Sequence, residues 1–516
     1  MARRSLKYNA AVLSVTGFLV KLIGFFYRIF IANSIGTEGL GLYQLIVPIY
    51  SLLVLVLSAG ISVAVSRFVA EETSSGRIRS GMKIASLAAG IVLLVGIVLS
   101  LILILNVDAM LLAFAKDLRA RISLLWMLCL VPPIAAASAY KGYFYGKQQV
   151  IPNAIGQVAE QLSKLAFVVI MHPHFLNKGI ESMCLLATLG LMVGETVNVF
   201  FVFCAFQYER FKNRTNQEPE AGTRTLTRKL VKTAIPISTN RLVLSILGTV
   251  ESLVIPQRLV LFGLTFQESL KVLGRLNGMA APLVFFPSML PMALATALVP
   301  AIAGAVSTGR YQIANRQISQ SIRLTLTMGL VFTSFFAVCS YEIAEFIFPG
   351  KDVGRILHLL SYTGVFLYLQ QTMLGILNGL ARESAILINT LTGSIIRIVL
   401  VWFCLPLWGV DAYIVGVIAG SLITIVLNFL EVSRITGMSV DIGEWVLKPL
   451  SATLAGALIS MLLKRIPGLW GVGGKLQLLM SMGISFAIIA TVFVVAGVIK
   501  AEDIRRWASR KHVILH

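Results

Sequence analysis

Five basic and three acidic side chains interrupt stretches that are otherwise apolar enough to cross a membrane: Lys21, Arg28, Lys164, Arg241 and Arg397 against Glu160, Glu195 and Glu251. A charge at the centre of a span costs roughly 2.5–3.5 kcal/mol on insertion scales, so such residues face a protein interior or a water-filled cavity and are candidates for function. Lys21 and Arg28 are seven residues apart, two turns along one helix face, and both can enter the same cavity. Glu160 and Lys164 are four apart in the order that favours an ion pair within one helix, which competes with any ligand. Arg28 lies a few residues before the 35–39 segment, so its alternative is to snorkel to the interface. Arg241 and Glu251, ten apart, fall on roughly opposite helix faces, which leaves Arg241 available to a ligand. For Glu195 the sequence offers no evident partner. The balance is positive, and guanidinium groups suit phosphate through their forked donors, so the expected cargo is an anion that carries phosphate. Lys21, Arg28, Arg241, Lys164 and Arg397 are the expected substrate contacts; Glu251, Glu195 and Glu160 are the candidates for ion coupling. Charge alone does not separate a lipid from a small soluble anion.

The elements that must position these residues are helices in lipid. Of 516 residues 57% are hydrophobic and 13% charged, against about 25% charged in soluble domains. Repeated apolar stretches reach the ~20 residues a helix needs to cross the hydrocarbon core, with short polar breaks between them. The expected fold is an all-α polytopic membrane protein of about fourteen spans, two six-helix lobes in parallel repeat plus two C-terminal helices. The expected division is residues 1–206, a linker at 207–228, a second lobe at 229–435, and a final helix pair with a basic tail at 436–516. The first apolar stretch is too long for a signal peptide, contains Lys21 and Arg28, and lacks a small-residue cleavage site, so it stays as the first span.

An internal repeat supports the two lobes. Ser74-Ser75-Gly76-Arg77 matches Ser307-Thr308-Gly309-Arg310, Gly142 and Gly146 match Gly375 and Gly379, and Lys164 matches Arg397, all 233 positions apart. Each half holds an even number of spans, so both enter the membrane in the same orientation, as in alternating-access transporters with substrate near the midplane. The paired glycines read as sites of close helix packing.

Net charge is +21 from 44 basic and 23 acidic residues. The excess sits in short segments at helix ends, including Arg3, Arg4 and Lys7, the 207–232 linker, and Lys500, Arg505, Arg506, Arg510 and Lys511. Cytoplasmic loops carry such an excess, which places both termini inside and argues against nucleic-acid binding. Cys129, Cys184, Cys204, Cys339 and Cys404 show no metal-ligand or paired spacing, and His172 and His174 lack acidic or cysteine neighbours, so no metal or cofactor is expected.

The runs Gly24-Phe25-Phe26-Tyr27-Arg28-Ile29 and Ile35-Gly36-Thr37-Glu38-Gly39-Leu40-Gly41-Leu42-Tyr43 resemble the opening of the stage V sporulation protein B family. The likeness continues through Gly60 to Arg67, Gly142 to Gly146, and Pro282 to Pro300. That family belongs to the multidrug, oligosaccharidyl-lipid and polysaccharide exporter superfamily. The resemblance implies two six-helix lobes with a central cavity, and movement of an undecaprenyl-pyrophosphate-linked peptidoglycan precursor across the cytoplasmic membrane for spore cortex synthesis. The implied partners are that lipid-linked saccharide, membrane lipids, and H+, Na+ or the membrane potential as driving force. Some cell-wall flippases of the superfamily use basic residues in the first helix, a role Lys21 and Arg28 match in kind. Two other classes compete. An ion-coupled multidrug antiporter needs acids facing a cationic drug, and the first span has none, the nearest being Glu38. A membrane glycosyltransferase needs an acidic site on a sizeable outer loop, whereas acids such as Glu38, Asp108 and Asp411 are scattered over short ones.

Overall fold

A computed structural model describes residues 6–176, 178–213, 223–438, 443–465 and 474–498, without the side chains of most residues between 223 and 241. Arg3, Arg4, the centre of the linker and the basic residues from Lys500 onward lie outside the described residues, as does the side chain of Arg241.

The described residues form helices in the order α1 (Leu6–Ser74), α2 (Ile78–Leu105), α3 (Arg121–Gly146), α4 (Ile151–Phe175), α5 (Ile180–Lys212), α6 (Thr223–Leu261), α7 (Phe266–Leu273) and α8 (Met289–Ser307). They continue with α9 (Tyr311–Ile347), α10 (Gly354–Ser361), α11 (Gly364–Gly379), α12 (Glu383–Trp408), α13 (Val410–Thr436), α14 (Lys448–Lys464) and α15 (Lys475–Val495). Twelve of the described helices are long and apolar enough to cross a membrane, so the chain is a multi-pass membrane protein. The difference from about fourteen spans has two sources. The 63-residue stretch Val12–Ser74 is long enough for two crossings and breaks at Gly36, whose φ of 72° ends one arm and starts the next. The apolar stretch at 355–380, long enough for one span, is interrupted between α10 and α11, so neither piece reaches spanning length.

By contacts the chain falls into two compact units, residues 1–257 with 265–274, and residues 258–264 with 275–516. In the first, a core of Ala64, Val65, Val69, Ala85, Ala88, Tyr143, Phe144 and Phe206 joins α1, α2, α3 and α5. In the second, Ile302, Ile318, Met373, Ile376, Leu377 and Val432 join α8, α9, α11 and α13. A smaller cluster of Val331, Ala452, Ile489 and Phe493 seats α14 and α15 on α9.

Each unit repeats the other's local construction at the 233-residue offset. Ser74 and Ser307 end helices, Ile78 and Tyr311 begin them, and Gly76 and Gly309 between them take φ of 77° and 69°. A Cβ on Gly142 would meet the Ser62 carbonyl at 2.5 Å, and one on Gly375 would meet Ala295 Cα at 2.6 Å, where Ala295 is the counterpart of Ser62. Gly96 faces Pro132 at 3.0 Å and Gly329 faces Val365 at 2.9 Å, again counterparts. These glycines let backbones approach where lipid offers no hydrophobic drive for association, and the close-packing reading of the Gly142 and Gly375 pairs stands.

Candidate functional site

The first arm of α1 carries Lys21 and Arg28 on one stripe, and both are exposed, while Tyr27 and Ile31 on other faces are buried. An apolar helix has no strong preference for which face it buries. Here Gly24 faces α4, with Gln161 Oε1 3.3 Å from where a Cβ would stand. Tyr27 then points at Gly190 of α5, its hydroxyl 3.3 Å from where a Cβ would stand. Arg28 lies within electrostatic reach of Tyr27 and Tyr43.

Lys164 is placed differently. It is 7% exposed, its Nζ donates to Glu160 Oε1 at 3.3 Å, and it sits 5.5 Å from the centre of the Tyr27 ring. The Glu160 carboxylate also accepts from Asn198 Nδ2 at 2.6 Å and from Gln161 Nε2 at 3.0 Å. The ion pair along α4 is therefore formed, and Asn198 of α5 completes it. A Cβ on Gly194 would lie 2.9 Å from the Glu160 carbonyl and 3.1 Å from Lys164 Cβ, so this glycine admits the pair between α4 and α5. Glu195 has Glu160, Lys141 and Lys164 as its charged neighbours. Among the described residues, the hydroxyls of Tyr27 and Tyr50 are buried nearby with no hydrogen-bond partner.

Arg397 occupies the corresponding place in the second unit. It is half-buried on α12 against Gly416 and Gly420 of α13, with a Gly420 Cβ position 2.9 Å from Arg397 Cβ. The residue four positions before it is Gly393, packed on the Thr424 side chain, where Lys164 has Glu160. Nearby, Asn389 and Asn428 hydrogen-bond to each other at 2.9 Å. Glu251 is 7% exposed on α6. Within the first unit, Lys21 and Arg28 share a stripe and Glu160, Lys164 and Glu195 form one cluster; Arg397 lies in the second unit.

Three arrangements went unread in the sequence. Glu38 Oε1 accepts from Arg119 at 2.8 Å, and Arg119 also holds Asp117 at 2.7 Å. Lys464 at the end of α14 reaches into the break of α9 at Cys339, donating to the Val338 carbonyl at 2.8 Å and to Glu342 at 2.5 Å. Arg258 lies over Trp402, 3.2 Å from the ring centre. Their partners are remote in sequence, by 81, 126 and 122 residues for the first two arrangements. Only the isolated Glu38 could have drawn attention.

A helical core of matched halves, with basic side chains kept in its spans, is the build of a membrane transport protein. Comparison with known proteins agrees. The family described as "Polysaccharide biosynthesis protein" matches residues 6–306, and the family MatE matches residues 277–403. Stage V sporulation protein B of Bacillus subtilis (strain 168) is 26% identical over 98% of both chains. Lipid II flippase MurJ of the same organism is 22% identical over 84% of this chain and 83% of that one. Among solved structures, that of lipid II flippase MurJ in an inward closed conformation has a TM-score of 0.69 at 14% identity, covering 94% of this chain and 98% of that one. An inward-facing multidrug resistance MATE family transporter of the MOP superfamily has a TM-score of 0.64 at 13% identity, covering 82% and 96%. This chain belongs to the polysaccharide biosynthesis protein family.

Proposed function

We propose that this protein is a flippase that moves an undecaprenyl-pyrophosphate-linked peptidoglycan or polysaccharide precursor across the cytoplasmic membrane by alternating access, in the service of spore cortex synthesis. The observation that carries this reading is the exposed pair Lys21 and Arg28 on one stripe of a membrane helix. Two cations kept in a span, at roughly 2.5–3.5 kcal/mol each, are accounted for by a site that needs them. A pyrophosphate takes a point charge from Lys21 and a forked donor from Arg28. Arg241, Lys164 and Arg397 complete the proposed substrate contacts. Glu251, Glu195 and Glu160 are the proposed groups for coupling to H+ or Na+, with the membrane potential as a further source of drive. The likeness to stage V sporulation protein B and to lipid II flippase MurJ supports the cargo class and the process. Both termini and the linker are cytoplasmic in this reading, and residues 1–206 and 229–435 are the two lobes, joined at 207–228 and followed by 436–516.

The test is complementation of a cortex-defective sporulating strain by Lys21→Ala, Arg28→Ala and Arg241→Ala at normal membrane abundance, beside flipping of defined lipid-linked saccharides by purified protein. Loss with alanine and recovery with the Arg or Lys counterpart is expected. Full activity of all three alanine variants overturns the assignment.

A further inference from the structure

Arg258 stands three residues before the end of α6, and its guanidinium carbon lies 3.2 Å above the centre of the Trp402 ring of α12. Both residues belong to the second unit. One turn further along α6, Phe262 packs on the residue that ends α12: a Cβ on Gly409 would stand 3.0 Å from the Phe262 ring, and the φ of 60° at this glycine carries the chain out of the helix. The ends of the two helices therefore meet through two aromatic contacts. α12 has 26 residues, about 39 Å at 1.5 Å per residue, against a hydrocarbon core of about 30 Å, so its end reaches the head-group layer.

The stack determines what the arginine has left to offer. A guanidinium over a ring keeps its five N–H donors at its rim, directed away from the ring, and is held in place without the help of an acceptor. Among the described residues no carbonyl, hydroxyl or carboxylate accepts from Arg258. Asp411, the acid in the turn that follows α12, is engaged by Arg355 at 3.5 Å. Arg119, by contrast, spends its donors on Asp117 and Glu38. Snorkelling alone would extend the side chain into water. Instead the head of Arg258 is half-buried across Trp402 with its donors set as a fork.

We propose that Arg258, stacked on Trp402, binds the phosphate of a membrane phospholipid whose acyl chains lie along the apolar surface beside it. Two features select this occupant. A pre-oriented fork of N–H donors suits two oxygens of one phosphate group. The surface around the stack, Leu261 of α6 with Phe403, Leu407 and Trp408 of α12, is apolar and exposed, which suits hydrocarbon chains and not a free anion. The ligand is a resident lipid, so the site is independent of the cargo proposed above.

The experiment uses full-length protein in maltoside micelles with Trp126, Trp408, Trp445, Trp470 and Trp507 replaced by phenylalanine, so that Trp402 alone reports. Phosphatidylglycerol with brominated chains, and a diacylglycerol with the same brominated chains and no phosphate, are titrated against its emission. The phospholipid should reach half-maximal quenching at about a tenfold lower mole fraction than the diacylglycerol. Arg258→Met should abolish that advantage, and Arg258→Lys should keep at most about a third of it, because an ammonium lacks the fork. Equal quenching by the two lipids with Arg258 intact overturns the proposal, and this comparison decides by itself if Arg258→Met fails to fold. Inorganic phosphate should leave the quenching unchanged; relief of quenching by the free anion would make a soluble phosphate the ligand and overturn the phospholipid assignment.

Discussion

The surroundings of Lys164 and of Arg397 are the same scaffold holding different chemistry. Both cations stand on the fifth membrane helix of their repeat and press against a pair of glycines on the next, Gly190 and Gly194 for one and, two helical turns short of the 233-residue register, Gly416 and Gly420 for the other. Lys164 has a carboxylate one turn earlier, steadied by Asn198. Arg397 has Gly393 there, with the Thr424 side chain packed into the space. The position of the charge and a glycine-mediated helix approach recur in both halves, while a carboxylate one turn earlier stands in one half alone. The small residues at the crossing set geometry; the residue one turn away decides whether the helix itself supplies a carboxylate to the cation.

The largest effect that separates the two places is expected from removing each cation. Lys164→Met leaves Glu160 buried without its countercharge, and breaking a buried pair from one side costs roughly 3–5 kcal/mol. Arg397→Met strands no acid at the matching position, which is Gly393, and should cost less. Thermal unfolding of the purified variants in detergent measures both; equal losses of melting temperature would erase the distinction. The double variant Lys164→Met with Glu160→Gln should recover most of the Lys164→Met loss, since no charge is then stranded.

The shared scaffold is tested by the glycines. Gly194→Ala places a methyl 2.9 Å from the Glu160 carbonyl oxygen, and Gly420→Ala places one 2.5 Å from the Gly393 carbonyl oxygen and 2.9 Å from Arg397 Cβ. Each should destabilise by about 1–3 kcal/mol, Gly420→Ala the more. A loss confined to one of them, read by the same unfolding assay, would mean that the two helix pairs are not equivalent. The smallest effect concerns Gln148 and Ala381, which end the matched helices α3 and α11 with φ of 57° and 55°. Left-handed geometry strains a residue with a Cβ by about 1–2 kcal/mol, so glycine at either position should stabilise modestly, less the entropy glycine loses on folding. A melting temperature raised at one position and lowered at the other would break the correspondence.

How much of this could be read beforehand varies by residue. The Glu160–Lys164 pair was legible, because four-residue spacing on a helix determines who meets whom. The Gly142 and Gly375 contacts were legible as packing sites, though not their partners Ser62 and Ala295. The role of Asn198 was not, since the face α5 turns toward α4 is set by Gly156, Gly190 and Gly194 together with the shapes they admit. Glu38 looked like an isolated loop acid; the structure gives it Arg119 and Lys271. The span count differed from the expectation where apolarity and helix continuity disagree, at Gly36 and between α10 and α11.

Apolar length and the scarcity of charge determined that this chain lives in a membrane as a bundle of helices, because a continuous apolar run of about 20 residues satisfies its backbone hydrogen bonds in lipid as a helix. The constant offset of 233 residues determined the duplication, since matched turns such as those at Gly76 and Gly309 need the same backbone geometry. The tertiary structure alone decided the rotation of each helix, and with it that Lys21 and Arg28 are exposed while Lys164 is enclosed. In water a polar face would have set that rotation. Helices apolar on nearly every side carry no such instruction, and the phase is chosen by where glycines permit close approach and where a buried charge finds its partner.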